Sequence, residues 1–107
     1  MNHQAIDERS LAMARAIAEK IDRDPRRAGL DRAREVCARW GEIAPAAAVE
    51  EWAGILAGSW EEVRPVLLDP SEEGRRLRQS HPFCGVLSPR ERWAIYREFR
   101  GYEQAAT

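Results

Sequence analysis

The sequence predicts an all-α protein, a compact single-domain bundle of five or six short helices. Two observations carry that prediction. Apolar residues recur at three- and four-residue spacing along most of the chain, whereas the two-residue alternation of a half-buried strand is almost absent. Asp-Pro, Ala-Pro and Ser-x-x-Glu signals mark repeated helix starts and leave only short connections between them. A chain of 107 residues is the size of one domain and buries roughly 60–70% of the surface it exposes when unfolded. That suffices for one modest core and no deep inter-domain cleft.

The first helix is expected over Ile6 to Arg23, with Leu11, Ala14, Ile17, Ala18 and Ile21 on its apolar face. Asp24-Pro25 reads as an N-cap followed by proline at the first helical position. The second helix should therefore run from Pro25 to Trp40, bury Leu30, Ala33, Val36, Cys37 and Trp40, and stop at Gly41. Ala44-Pro45 opens the third, with Val49, Trp52, Ala53 and Leu56 as its stripe and Gly58 as its stop. Ser59-Trp60-Glu61-Glu62 fits a capping box, in which hydroxyl and carboxylate each satisfy a free backbone N–H. The fourth helix contains Pro65, which removes one backbone hydrogen bond and should bend it. Asp69-Pro70 repeats the Asp-Pro start, and the fifth helix carries Leu77 and ends near Ser80. Ser88-Pro89-Arg90-Glu91 combines a capping box with an N1 proline. The last helix then carries Trp93, Ile95, Tyr96, Phe99 and Tyr102, and 103–107 reads as a loose tail.

Composition excludes several classes of function. Charged residues form 33% of the chain and hydrophobic residues 44%, a globular rather than disordered balance. No apolar run approaches the ~20 residues that cross a bilayer, and MNHQAIDERS lacks the basic start and apolar stretch of a secretory signal. No membrane association is expected. Cys37 and Cys84 belong to no CxxC pair, so neither a disulfide framework nor a zinc site is indicated, and the expected compartment is the cytoplasm. The formal net charge of −1 argues against wholesale nucleic-acid binding. Sixteen of the 17 basic residues are arginine, which fits a GC-rich genome or, alternatively, selection for bidentate contacts.

Catalysis finds no support in the motifs. His81 and Cys84 lie three residues apart in a connection, with no residue indicated to orient them. Glu50-Glu51, Glu61-Glu62 and Glu72-Glu73 are adjacent on helices and point about 100° apart, so they form no acid–base pair by themselves. No glycine-rich phosphate loop is present. The expectation is a non-enzyme with no catalytic residue, cofactor or metal. Ala53 to Leu68 reads as a degenerate helix-turn-helix, weakened by Arg64 at a core position and by Pro65. The stretch from Ser71 to Thr107 holds seven Arg against five Glu, a net +2 that could meet phosphates or pair with the −3 of the rest.

The segment Ser80 to Leu87, SHPFCGVL, is too apolar for a free loop. It admits two readings: a plug folded back onto the bundle, with Leu87 stapled beside the Ser88 cap, or an exposed anchor formed by His81, Phe83 and Val86. The four tryptophans are expected in the core, except Trp60, whose place in a first turn suggests partial exposure.

LRQSHPFCGVLSPRERW, from Leu77 to Trp93, and EEWAGILAGSWEEVRPVLLDPSEEG before it resemble small bacterial proteins carried beside toxin genes, the antitoxin components of toxin–antitoxin modules. The resemblance covers about Val49 to Arg100. It implies a cytoplasmic helical protein that binds and neutralises a cognate toxin. Many antitoxins also bind their own operator, and this chain lacks the uninterrupted DNA-binding element that many of them have. The resulting expectation is a protein-binding inhibitor that occludes its partner through Arg76, Arg78, His81, Phe83, Arg90 and Arg92. Trp93, Tyr96 and Phe99 are expected to support the loop from beneath. The alternatives are a DNA-binding regulator and a homo-oligomeric scaffold, phage structural proteins included.

Overall fold

The computed structural model describes the backbone of residues 3–106 and the side chains of 6–99. Six helices follow one another: α1 His3–Asp22, α2 Ala28–Ile43, α3 Ala47–Leu56, α4 Trp60–Leu67, α5 Glu72–Arg78 and α6 Pro89–Ala106. No strand occurs among the described residues. The protein is all-α, as its periodicity predicts.

The core forms where the predicted stripes converge. From α1 come Ala14, Ile17, Ala18 and Ile21; from α2, Leu30, Ala33 and Cys37; from α3, Trp52 and Leu56; from α4, Trp60, Val63 and Leu67. Val36 and Trp40 are only half-buried. Together with Cys37 they make a stripe wider than α3 alone can cover. Trp60, in contrast to its expected exposure, is 4% exposed. Its indole Nε1 donates to Asp22 Oδ1 at 2.7 Å, so the ring can be buried with its polar tip satisfied. The same carboxylate accepts from Arg64 Nε at 3.0 Å, and these contacts, the Trp60 bond foremost, hold the Asp22 carboxyl below its usual range.

Helix boundaries depart from the sequence reading where a turn imitates a cap. Asp24 does cap, but it caps a turn: Oδ1 accepts from Arg26 N at 3.0 Å and Oδ2 from Ala28 N at 2.8 Å. The intervening Arg27 takes a left-handed backbone, φ 52°, a conformation that costs a non-glycine residue roughly 1–2 kcal/mol. Its guanidinium offsets that cost by donating to the Ile21 and Asp22 carbonyls in the last turn of α1, at 2.8 and 2.9 Å. Gly41 does not end α2, which runs on to Ile43. An internal glycine costs only about 1 kcal/mol, and tertiary packing of α2 on α3 overrides it. The helix α3 begins at Ala47 rather than Pro45.

Asp69-Pro70 likewise precedes its helix. Asp69 Oδ1 accepts from Ser71 N at 2.9 Å, and Ser71 is the true N-cap, its Oγ accepting from Gly74 N. The chain turns so tightly that a Cβ on Gly74 would lie 1.9 Å from the Asp69 carbonyl oxygen. The two Ser-x-x-Glu signals mark helix starts as read: Ser59 Oγ accepts from Glu62 N at 3.3 Å, and Ser88 and Glu91 bond reciprocally at 2.8 and 3.2 Å. The backbone of α6 stays helical through Gly101 to Ala106, across most of the segment read as a tail. It runs back along α1, tied there by the Lys20–Glu91 ion pair at 2.8 Å.

Candidate protein-interaction surface

The connection between α5 and α6 is a plug, the first of its two readings. Pro82, Phe83, Val86 and Leu87 are buried, with Phe83 only 1% exposed. The Phe83 ring meets the Trp52 ring edge-on, centroids 6.0 Å apart at 77°, a favoured aromatic geometry. Trp52 Nε1 donates to the Leu77 carbonyl at 2.9 Å, which anchors the last turn of α5 over the core. His81 Nδ1 accepts from Phe83 N at 3.0 Å and closes the turn. Burial, with a smaller contribution from nearby Arg78, pushes the His81 imidazole down to about 4, so it is neutral at pH 7.

Three of the six residues expected to contact a partner, Phe83, His81 and Arg78, are drawn into the protein, and Arg76, although exposed, is held in surface ion pairs. Phe83 lies in the core rather than on an exposed tip. His81 closes the turn beneath it. Arg78 is 5% exposed and donates to the Leu67 and Asp69 carbonyls and to Ser10 Oγ. It therefore ties the end of α4 to α5 and α1. Arg76 makes a bidentate pair with Glu51, at 2.7 and 3.0 Å, and bonds Glu73 as well, and these carboxylates hold its charge all the more firmly. The remaining two lie at the start of α6. Arg90 is exposed and makes no ion pair among the described residues. Arg92 is half-buried and donates to the Cys84 carbonyl at 3.4 Å.

The aromatic residues assigned to support the loop occupy two faces of α6. Ile95 packs against the core and Phe99 is half-buried. Trp93 points outward, 58% exposed, and Tyr96 is 39% exposed. Their rings meet edge-on, centroids 6.2 Å apart, and the Arg9 guanidinium of α1 lies 5.2 Å from the Tyr96 centroid. At 100° per residue, Trp93 stands roughly 120–160° around the helix from Ile95 and Phe99. Arg90 and Arg97 share its face. Both are exposed, and neither makes an ion pair among the described residues. The sequence held a signal for this surface. Trp93 and Ile95 cannot share one face of a helix, and Arg90, Trp93 and Arg97 recur at three- and four-residue spacing.

The other expected sites present different chemistry. A three-residue turn joins α3 to α4, but the outer face of α4 offers Glu61, Glu62 and Pro65, while Arg64 turns to Asp22. That turn is clamped from α2 by Arg34, which donates to the Leu56 and Gly58 carbonyls at 2.8 and 2.9 Å. No cluster of three or more His, Cys, Asp or Glu capable of holding a metal occurs among the described residues. Comparison with protein-family models, curated proteins and solved structures found no match to the chain.

Proposed function

We propose that this protein is a non-enzymatic protein-binding module, an antitoxin or comparable inhibitor that occludes a cognate bacterial protein in the cytoplasm. The observation that carries this reading is the exposed Trp93–Tyr96 pair on α6, set beside Arg90 and Arg97, which make no ion pair among the described residues. Trp, Tyr and Arg are the residue types on which binding energy concentrates at protein interfaces. The platform beneath them is rigid: the Ser88–Glu91 capping box fixes the start of α6, and Lys20–Glu91 fixes it to α1. A preformed face loses little conformational freedom on docking. Occlusion then needs only that the partner's active surface lie beneath α6.

The engagement of the ionisable groups supports a binding role over chemistry. His81 spends Nδ1 on Phe83 N, and Glu51 and Glu73 are both bound to Arg76. The acidic outer face of α4 disfavours its use as a recognition helix against phosphate. Cys37 and Cys84 are free thiols, in keeping with a reducing compartment. No helix of the described residues is long and apolar enough to cross a membrane.

A tagged chain recovered from its native host at moderate salt should bring down one stoichiometric protein partner. Co-expression should then relieve the growth arrest that this partner causes alone. Recovery of nucleic acid, or of the chain alone as an oligomer, contradicts the reading.

A further inference from the structure

We infer that the outer face of α6, centred on Trp93 and flanked by Arg90 and Arg97, is built for an acidic protein segment that carries apolar side chains among its carboxylates. This deepens the protein-binding reading and rests on it. The inference comes from the exposed indole and the charges beside it. Four cations cross between elements to carboxylates: Arg75 bonds Asp7, Arg76 bonds Glu51, Arg64 bonds Asp22 and Lys20 bonds Glu91. Arg15, Arg23, Arg26, Arg32 and Arg39 are exposed and make no ion pair among the described residues, and what sets the outer face of α6 apart is that its unpaired arginines flank an exposed tryptophan. Arg90 and Arg97 lie roughly one turn either side of Trp93 and make no ion pair among the described residues. Glu91 is turned away to Lys20 and the Ser88 cap, and Glu98 falls roughly 140° from Trp93 around the helix.

An exposed indole between two guanidinium groups that make no ion pair among the described residues selects its occupant by charge. A second copy of the chain would set arginine against arginine, a like-charge juxtaposition that interfaces avoid. Single-stranded nucleic acid could stack on Trp93, but two arginines neutralise about two phosphates. That is a small part of the 6–10 contacts typical of tight nucleic-acid binding, and the whole chain carries −1. A carboxylate-bearing segment meets both demands: bidentate acceptors for Arg90 and Arg97, and an apolar side chain over Trp93 and Tyr96.

The test uses three labelled probes read by fluorescence anisotropy against the full chain. They are a short peptide of Asp and Glu interleaved with Leu and Phe, its counterpart with Lys at every acidic position, and oligo-dT. The acidic peptide should bind, the lysine peptide should not, and salt should weaken the binding. The double variant Arg90→Glu, Arg97→Glu should lose about tenfold or more in affinity, and Trp93→Ala a comparable amount, with thermal melts unchanged. Failure of the acidic peptide to bind, equal or tighter binding of the lysine peptide or oligo-dT, or a Trp93-dependent dimer in sedimentation overturns the inference. Capture of the native partner by the double variant at undiminished affinity would sink this surface while leaving the protein-binding reading intact.

Discussion

The Ser80–Leu87 connection and the outer face of α6 lie next to each other in the chain, and both hold aromatic and aliphatic residues beside arginines. They have opposite fates. In the connection, Phe83 is 1% exposed, and the hydrogen bonds of the turn and of Trp52 close around it. On α6, Trp93 is 58% exposed and its arginine neighbours on that face pair with no carboxylate among the described residues. An apolar run in a connection is thus no sign of a binding loop when the core beneath has room for it. An apolar residue set against its helix's own stripe is instead one that the fold leaves on the surface.

The sharpest way to break this contrast is to charge the plug. Phe83→Asp should abolish cooperative thermal unfolding measured by circular dichroism. Removing a buried phenyl ring already costs about 3–5 kcal/mol, and an unpaired buried carboxylate adds to that, against a total stability of about 5–15 kcal/mol. A folded Phe83→Asp variant with a normal melt would return the loop to the surface. Next in size is Gly74→Ala, at the turn that leads into α5. Its Cβ would collide with the Asp69 carbonyl at 1.9 Å, and relief requires the Ser71 cap to shift. A loss of about 2–3 kcal/mol in urea titration is expected. Arg78→Met keeps much of the side-chain volume but leaves the Leu67 and Asp69 carbonyls without their donor. It should cost about 1–3 kcal/mol by the same assay.

A gentler probe of the plug is pH. The His81 imidazole ionises near 6.5 in the unfolded chain and only near about 4 in the folded one. Between these values the unfolded chain takes up the proton and the native protein does not. The stability it contributes is therefore full above pH 6.5, falls as pH drops toward 4, and levels off below. The loss across that window is on the order of 3 kcal/mol. Below about 4.5 carboxylates held low by their partners, such as Glu51 and Asp22, add a further decline. Denaturation followed from pH 7 to 5 should show the slope in the native chain and a flatter one in His81→Gln. Equal slopes would mean that the imidazole is not sequestered.

Much of the fold was legible because it rests on local rules. Period, Ser-x-x-Glu caps and turn residues placed all six helices. What misled were residues that serve two purposes: Asp24 and Asp69 bond backbone N–H groups within a turn as readily as at a helix start, and Gly41 breaks a helix only where packing does not hold it. The candidate surface was less legible, because exposure depends on which faces other helices cover. Trp60 became a core residue once Asp22, 38 positions away, supplied a partner for its N–H. Arg78 became a buried strut because the ends of α4 and α5 bring carbonyls to it. Neither partnership can be read from spacing. The outward position of Trp93 can be, since it follows from the register of α6 alone.

Equilibrium urea unfolding of Phe83→Ala beside Trp93→Ala tests the central contrast most directly. Phe83→Ala should lose about 3–5 kcal/mol, and Trp93→Ala should stay within about 0.5 kcal/mol of the native chain. Near-native stability for Phe83→Ala together with a large loss for Trp93→Ala would contradict the account, placing the core under α6 and the free surface at the loop.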